Sequence, residues 1–229
     1  MMWVFYFGGY MKKLIVAISI TLLLFGTIGC NSGLDQSVSY KQTAYLIGEC
    51  EHYDLTVISG AREHPYMMDG ARGEMVEFCT ITLKPRSNTP INDSCTYIVT
   101  VDGLEYKGSL NKDTFGSTLS GDIGVDVGRD MTAITIKYGE VESSIMLENM
   151  MSNAVISADD ALKIATDALS DTLSNLPEDD KREVYIKFVS DVLGDESVYY
   201  WYIAFVGKGG RYSAVLIDIV SGDLIAKRA

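Results

Sequence analysis

Apolar and polar residues alternate with a period of two along much of this chain. Between about Tyr40 and Met150 no run keeps the three-and-four spacing of a helix. TAYLIGECE, YDLTVISGA, EMVEFCTITLKP, CTYIVTVDG, LEYKGSL and MTAITIKYG each have the length and alternation of a strand. In CTYIVTVDG, Tyr97, Val99 and Val101 face one way and Thr96, Ile98 and Thr100 the other. Asp102-Gly103 follows, and both positions accept positive φ, which predicts a tight type I′ turn into the next strand. Asp69-Gly70 predicts another. Many short strands separated by turn signals predict a β-sandwich over residues 40–152, with an immunoglobulin-like topology as the natural guess.

The period changes near Met150–Asn153. Ser157 stands where a helix N-cap is needed, and Asp159 and Asp160 follow where the helix dipole favours negative charge. Ala161, Ile164, Ala165, Ala168, Leu169 and Leu173 then form one apolar stripe, which Pro177 stops. REVYIKFVSDVL, VYYWYIAFVG, YSAVLIDIV and DLIAKRA read as strands again. Gly207 to Gly210 make a hairpin loop and Ser221-Gly222 a further turn. The prediction is a small α+β module over residues 153–229, one helix packed on an antiparallel sheet, which makes the chain α+β overall.

Four aromatic residues stand together at Tyr199–Tyr202. Alternation puts Tyr199, Trp201, Ile203 and Phe205 on one face and Tyr200, Tyr202, Ala204 and Val206 on the other. The first face carries more apolar bulk, so it is assigned to the helix. Tyr200 and Tyr202 are then the exposed pair and the candidate partner-binding residues, because tyrosine suits interfaces.

ISADDALKIA followed by YYWYIAFVGKGGRYSAVLIDIVSGDLI resembles the PepSY domain. Ile156, Ser157, Ala161, Ile164 and Ala165 fit that family's helix start. Asp218 and Gly222 fit the end of its last hairpin, with Ser221 where Thr is commoner. The resemblance covers residues 155–229. It implies a non-catalytic α+β module of exported bacterial proteins, proposed to restrain peptidases or bind envelope components.

MKKLIVAISITLLLFGTIGC, residues 11–30, has the order of a signal peptide: basic Lys12 and Lys13, an apolar stretch from Leu14 to Phe25, then small residues. It resembles a bacterial lipoprotein signal, with Cys30 as the lipid-attachment residue. Gly29 and Cys30 match that pattern, whereas Thr27 and Ile28 depart from it. Residues 1–30 are thus read as signal peptide, residues 31–39 as linker, and the protein as extracytoplasmic, held on the bacterial cell membrane by lipid. Met11 is the natural start of such a signal.

Formal charge is -12 in 229 residues, which argues against nucleic acid as a partner, since a phosphate binder needs a basic face. His52 and His64 each follow a glutamate, but a metal site needs three or four groups at fixed spacing, so no metal or cofactor is predicted. Asp122, Asp126 and Asp130 lack the spacing of an EF-hand and read as turn carboxylates, with weak calcium binding as the alternative. Cys50, Cys79 and Cys95 permit one internal disulfide at most. Cys79 lies in line with Ile81 and Leu83, as a buried thiol would. With no nucleophile motif present, the expected protein is no enzyme. It is expected to bind or modulate at the cell envelope, with an envelope protein or a peptidase as partner. An extracytoplasmic hydrolase with a site between the domains and a passive spacer are the competing readings.

Overall fold

A continuous ladder of strands dominates the chain in a computed structural model, which describes residues 38–64, 73–86, 94–112, 114, 117–128, 131–138, 141–175, 183–191, 194, 197–207 and 211–229. The strands are β1 (Val38–Glu49), β2 (Tyr53–His64), β3 (Glu74–Pro85), β4 (Ser94–Val101), β5 (Leu104–Lys112), β6 (Leu119–Ile123), β7 (Ala133–Tyr138), β8 (Val141–Met146) and the short β9 (Glu148–Asn149). A 3₁₀ turn (Met150–Asn153) leads to α1 (Ala158–Ala168) and α2 (Ser170–Ser174). Then come β10 (Glu183–Ser190), β11 (Tyr199–Val206), β12 (Tyr212–Asp218) and β13 (Leu224–Arg228). The expectations for the signal segment, Cys30 and the linker up to residue 37 lie outside the described residues. So do those for Asp69-Gly70, Asp130, Pro177 and the hairpin tip at 208–210.

Hydrogen bonds join the strands in the order β13-β12-β11-β10-β1-β2-β3-β6-β5-β4-β7-β8, with β9 also on β1. The β-rich architecture expected from the alternation is present. Where a sandwich and a separate antiparallel sheet under the helix were expected, a single ladder runs through both, linked by the parallel pairing of β1 with β10, and turns a corner at β6. That strand pairs with β3 from Cys79 to Leu83 but with β5 only through Asn111–Ser120 and Lys112–Leu119. Past the corner the sheet packs on itself: Leu46, Leu55, Val57 and Ile81 share one core with Val99, Leu110, Ile134 and Ile145. Each such side chain contributes about 1.5–3 kcal/mol by leaving water.

A second core lies under α1. Ala161, Ala165 and Leu169 pack with Val184, Ile186 and Phe188 of β10, with Trp201, Ile203 and Phe205 of β11, and with Val215 and Ile217 of β12. Ser157 caps the helix as expected, its Oγ accepting from the Asp160 N–H at 3.1 Å. The stripe is interrupted at Leu169, which leaves helical geometry with φ -102° and ψ 9°, so the pattern yields two helices where one was expected.

β1 links the two cores. Its edge is shared: Val38–Lys41 pair in parallel with β10, and Leu46 and Ile47 pair antiparallel with β9. The strand begins at Val38, so Val38 and Ser39, which the sequence places in the linker, are buried within the sheet. Ala44 and Leu46 face the first core, while Tyr45 packs on the second. There the Tyr45 ring lies 5.8 Å from both Phe188 and Tyr199.

Candidate functional site: an aromatic and cationic stripe on the open face of the sheet

Trp201, Ile203 and Phe205 of β11 point at the helix and are at most 2% exposed, as the alternation predicts. Tyr199 joins them, stacked on Phe188 with ring centroids 5.3 Å apart. Every second residue of β11 therefore lies on the opposite face. Tyr202 sits directly across from Lys187 of β10 and Leu216 of β12. Tyr200 sits across from Val189 and Asp218.

The sequence predicts Tyr200 and Tyr202 as the pair facing away from the helix; they lie on that face, where both are half-buried and not exposed. Cross-strand neighbours on a sheet face stand only about 4.5–5.5 Å apart, so large partners shield the flanks of each ring. The environment of Tyr202 shows this chemically. Burial raises its phenol pKa above the ordinary value, and the neighbouring Tyr212 adds to the shift, while Arg228 works against it.

Further groups extend this pair into a stripe across five strands. Tyr40 of β1 pairs with Tyr185 of β10, and their rings stack at 6.3 Å. The Lys187 ammonium lies 5.1 Å from the centre of the Tyr40 ring and 5.7 Å from that of Tyr185. Burial lowers the Lys187 pKa, because a charge costs more away from water. Among the described residues no carboxylate pairs with it. At the far edge the Arg228 guanidinium stands 4.0 Å over the Tyr212 ring and donates to its hydroxyl. Ala204 and Ala214, small and buried, lie on this face beneath the larger side chains. The site thus offers rings, whose faces attract cations, beside cations that attract acids.

The remaining candidates have structural work. Asp126 accepts from the hydroxyls of Thr43 at 2.8 Å and Ser59 at 2.5 Å and from the Gly128 N–H at 2.9 Å, which ties its loop to β1 and β2. Asp122 accepts from Thr80 at 2.5 Å and faces Arg62 at 3.7 Å. Among the described residues no three His, Cys, Asp or Glu come together as a metal site would require. His52 is exposed in the β1–β2 turn, and His64 is exposed at the end of β2. Cys50, Cys79 and Cys95 are all free thiols. Burial pushes the Cys79 pKa up to about 12, with help from Asp122 and Asp126, and that of Cys95 up to about 11.

Two turns expected from sequence are present, and the second of them joins β12 to β13 at the edge of the site. Asp102 and Gly103 both have positive φ, 50° and 78°. Gly222 has φ 77°, and the Asp218 carboxylate accepts from the Val220 and Ser221 N–H groups at 2.9 and 2.7 Å. Those bonds hold the Asp218 pKa below the usual carboxylate value.

Tyr185 and Lys187 were legible as the alternate positions of REVYIKFVSDVL, but nothing in the sequence brings Tyr40 beside them. Their meeting depends on the parallel pairing of β1 with β10, two strands separated by more than half the chain. Compared with known proteins, the chain matches no family model, no curated protein and no solved structure.

Proposed function

We propose that the protein is a lipid-anchored, extracytoplasmic binding protein of the cell envelope. In this reading the PepSY-like α+β module, residues 153–229, docks an envelope protein or restrains a peptidase through the sheet face that carries Tyr200 and Tyr202. Residues 40–152 form a sandwich-type domain that carries the module. The observation that supports the reading is the Tyr40–Tyr185–Lys187–Tyr202 stripe, which places half-buried rings and a desolvated ammonium on a face the helix does not cover. Half-buried aromatic residues of this kind lose little entropy on binding and bury much area, which is why they dominate interface energetics. Lys187 has no carboxylate partner among the described residues, which favours a partner segment that presents a carboxylate to it.

Two arms test the reading. For the anchor, Cys30→Ala should shift the protein from the membrane to the soluble fraction, and mass spectrometry of the native chain should find Cys30 acylated. An unmodified Cys30 with unchanged membrane association would remove the anchor. For docking, a photo-crosslinking side chain placed at position 202 should trap one discrete protein adduct in intact cells. The same side chain placed at exposed Val155 should not. Equal labelling from both positions would remove the docking face.

A further inference from the structure

The two ends of the ladder are finished differently. At one end β13 carries Lys227 and Arg228, and its pairing with β12 shifts register between Leu216 and Ile217. Basic side chains and bulges are common means by which an edge strand avoids further pairing. At the other end β8 has neither. It contains no proline, lysine or arginine, and it pairs with β7 in unbroken register from Val141 to Met146. Among the described residues no strand pairs with its outer edge.

The first core almost closes on that edge. Just after β8, Glu148 and Asn149 pair with Ile47 and Leu46 of β1. A side-chain carbon at Gly48 would stand 2.5 Å from the Met146 carbonyl oxygen, so glycine is what lets β1 come this near. After Glu49 the chain turns back into β2, and the seam between β1 and β8 opens. A mainly apolar cavity of about 210 Å³ lies there. Val141 and Ser143 of β8 line it, with Cys50 and His52 of the β1–β2 turn and with Tyr53 and Tyr138, whose rings meet edge-on at 5.8 Å.

Val141, Ser143 and Ile145 are alternate residues of β8, and Ile145 is buried in the first core. The cavity therefore lies on the inward side of the free edge. A strand added there would alternate likewise, and its side chain across from Ser143 would enter the cavity. Apolar cavities of about 150 Å³ accept benzene, so this one has room for a ring. The turn is also fixed in advance: the Cys50 N–H donates to the Tyr53 carbonyl and the Arg86 N–H to the His52 carbonyl, both at 2.9 Å. A preformed site loses little freedom when filled.

A second copy of this chain is a poor occupant. Its own β8, paired antiparallel, would bring Val141, Ser143 and Ile145, which already face its own core, so no ring would fill the cavity. Glu142 points outward, with Lys137 across from it on β7 and no described residue across from it on the free side. A cation there would be favoured, since opposite charges across a strand pair attract.

We propose that the free edge of β8 binds an extended peptide segment of another protein, added antiparallel as a further strand, with one aromatic side chain in the cavity and a basic residue after it, across from Glu142. Main-chain hydrogen bonds supply affinity in such additions, and the cavity selects the side chain. The edge belongs to the first core and the face around Tyr202 to the second module, so each reading can fail without the other.

The probe is a fluorescently labelled, amidated heptapeptide, Ser-Val-Thr-Phe-Lys-Val-Thr, titrated with the full chain in detergent and followed by anisotropy. The native chain should bind it. Alanine in place of the phenylalanine should weaken binding at least about tenfold. N-methyl groups on alternate amides along one edge of the peptide should abolish binding, and the same number along the other edge should leave it intact, because an added strand bonds to β8 through one edge only. Ser143→Leu, which fills the cavity, should bring the phenylalanine peptide down to the level of the alanine one. No binding at about 1 mM would overturn the proposal. So would equal affinity for the two peptides, or equal loss on methylating either edge. Self-association of the chain that the peptide disperses would assign the edge to a second copy and overturn it too. If Ser143→Leu does not fold, the peptide series on the native chain decides.

Discussion

The indole N–H of Trp201 donates to the carbonyl of Ile156 at 2.8 Å, so β11 holds the segment that enters α1. Ile156 is fixed from the other side too, its own N–H donating to the Ile219 carbonyl at 2.9 Å. The Trp201 ring meanwhile meets Phe188 edge-on at 5.3 Å. One residue thus joins the helix start, β10 and β11. Trp201→Ala should cost about 3–5 kcal/mol of unfolding free energy. Trp201→Phe keeps most of the ring but leaves the Ile156 carbonyl without its donor, and should cost about 1–3 kcal/mol. Urea denaturation measures both, and a Phe variant as stable as the native chain would show that the hydrogen bond contributes nothing.

Where β1 leaves β10, the side chain of Gln42 replaces the backbone. Its Oε1 accepts from the Phe188 N–H at 3.1 Å, and its Nε2 donates to the Ala44 carbonyl at 3.3 Å. Gln42 is 3% exposed, so Gln42→Met would leave a buried N–H unpaired and should cost about 1–3 kcal/mol. The same geometry bears on the module's independence. A fragment of residues 153–229 carries α1 and β10–β13 but leaves the edge of β10 bare. It should unfold cooperatively with a low melting temperature, and a peptide spanning residues 38–44 added in trans should raise it. Absence of a cooperative transition would contradict the division of the chain near residue 153.

The buried thiols predict a loss of stability in alkali. A cysteine ionises near pH 9 once unfolded, whereas Cys79 and Cys95 in the fold hold their protons up to about 12 and about 11. Above pH 9 the unfolded state therefore binds fewer protons than the native state, and stability falls as pH rises. Each thiol contributes a slope of up to about 1.4 kcal/mol per pH unit. Denaturation between pH 8 and 10, below the main tyrosine range, should show the decline, and Cys79→Ala should flatten it. Alkylation followed by mass spectrometry should label half-buried Cys50 well before the other two. Equal labelling of all three would contradict the burial.

Local features of this fold were readable because they depend on neighbours in sequence. Ser157 caps a helix through a residue three positions on, and Asp102-Gly103 turns a hairpin through its own φ angles. The inward face of β11 followed from bulk and alternation alone. Pairings between distant segments were not readable. The parallel register of Val38–Lys41 on β10 brings Tyr40 to Tyr185 across the whole first core, and no local pattern encodes it. β6 and β8 were missed as well, because GDIG and VESS carry little apolar alternation and become strands only by pairing with β3 and β7. The Tyr53 pocket escaped for a similar reason: its wall joins a turn near residue 50 to a hairpin near residue 140.

The docking face is tested most directly by replacing Tyr200 and Tyr202 together with serine. Both are half-buried, so each change should cost about 1 kcal/mol through lost cross-strand contact. Ile164→Ala, on the helix and away from the stripe, serves as a control of comparable destabilisation. The native protein and the control would be used in parallel to capture partners from a detergent extract of the cell envelope, with melting temperatures recorded for each. The account predicts that the control retains its captured protein and the tyrosine variant loses it, at similar melting temperatures. Capture that survives Tyr200→Ser with Tyr202→Ser, or that fails equally in the control, would contradict it.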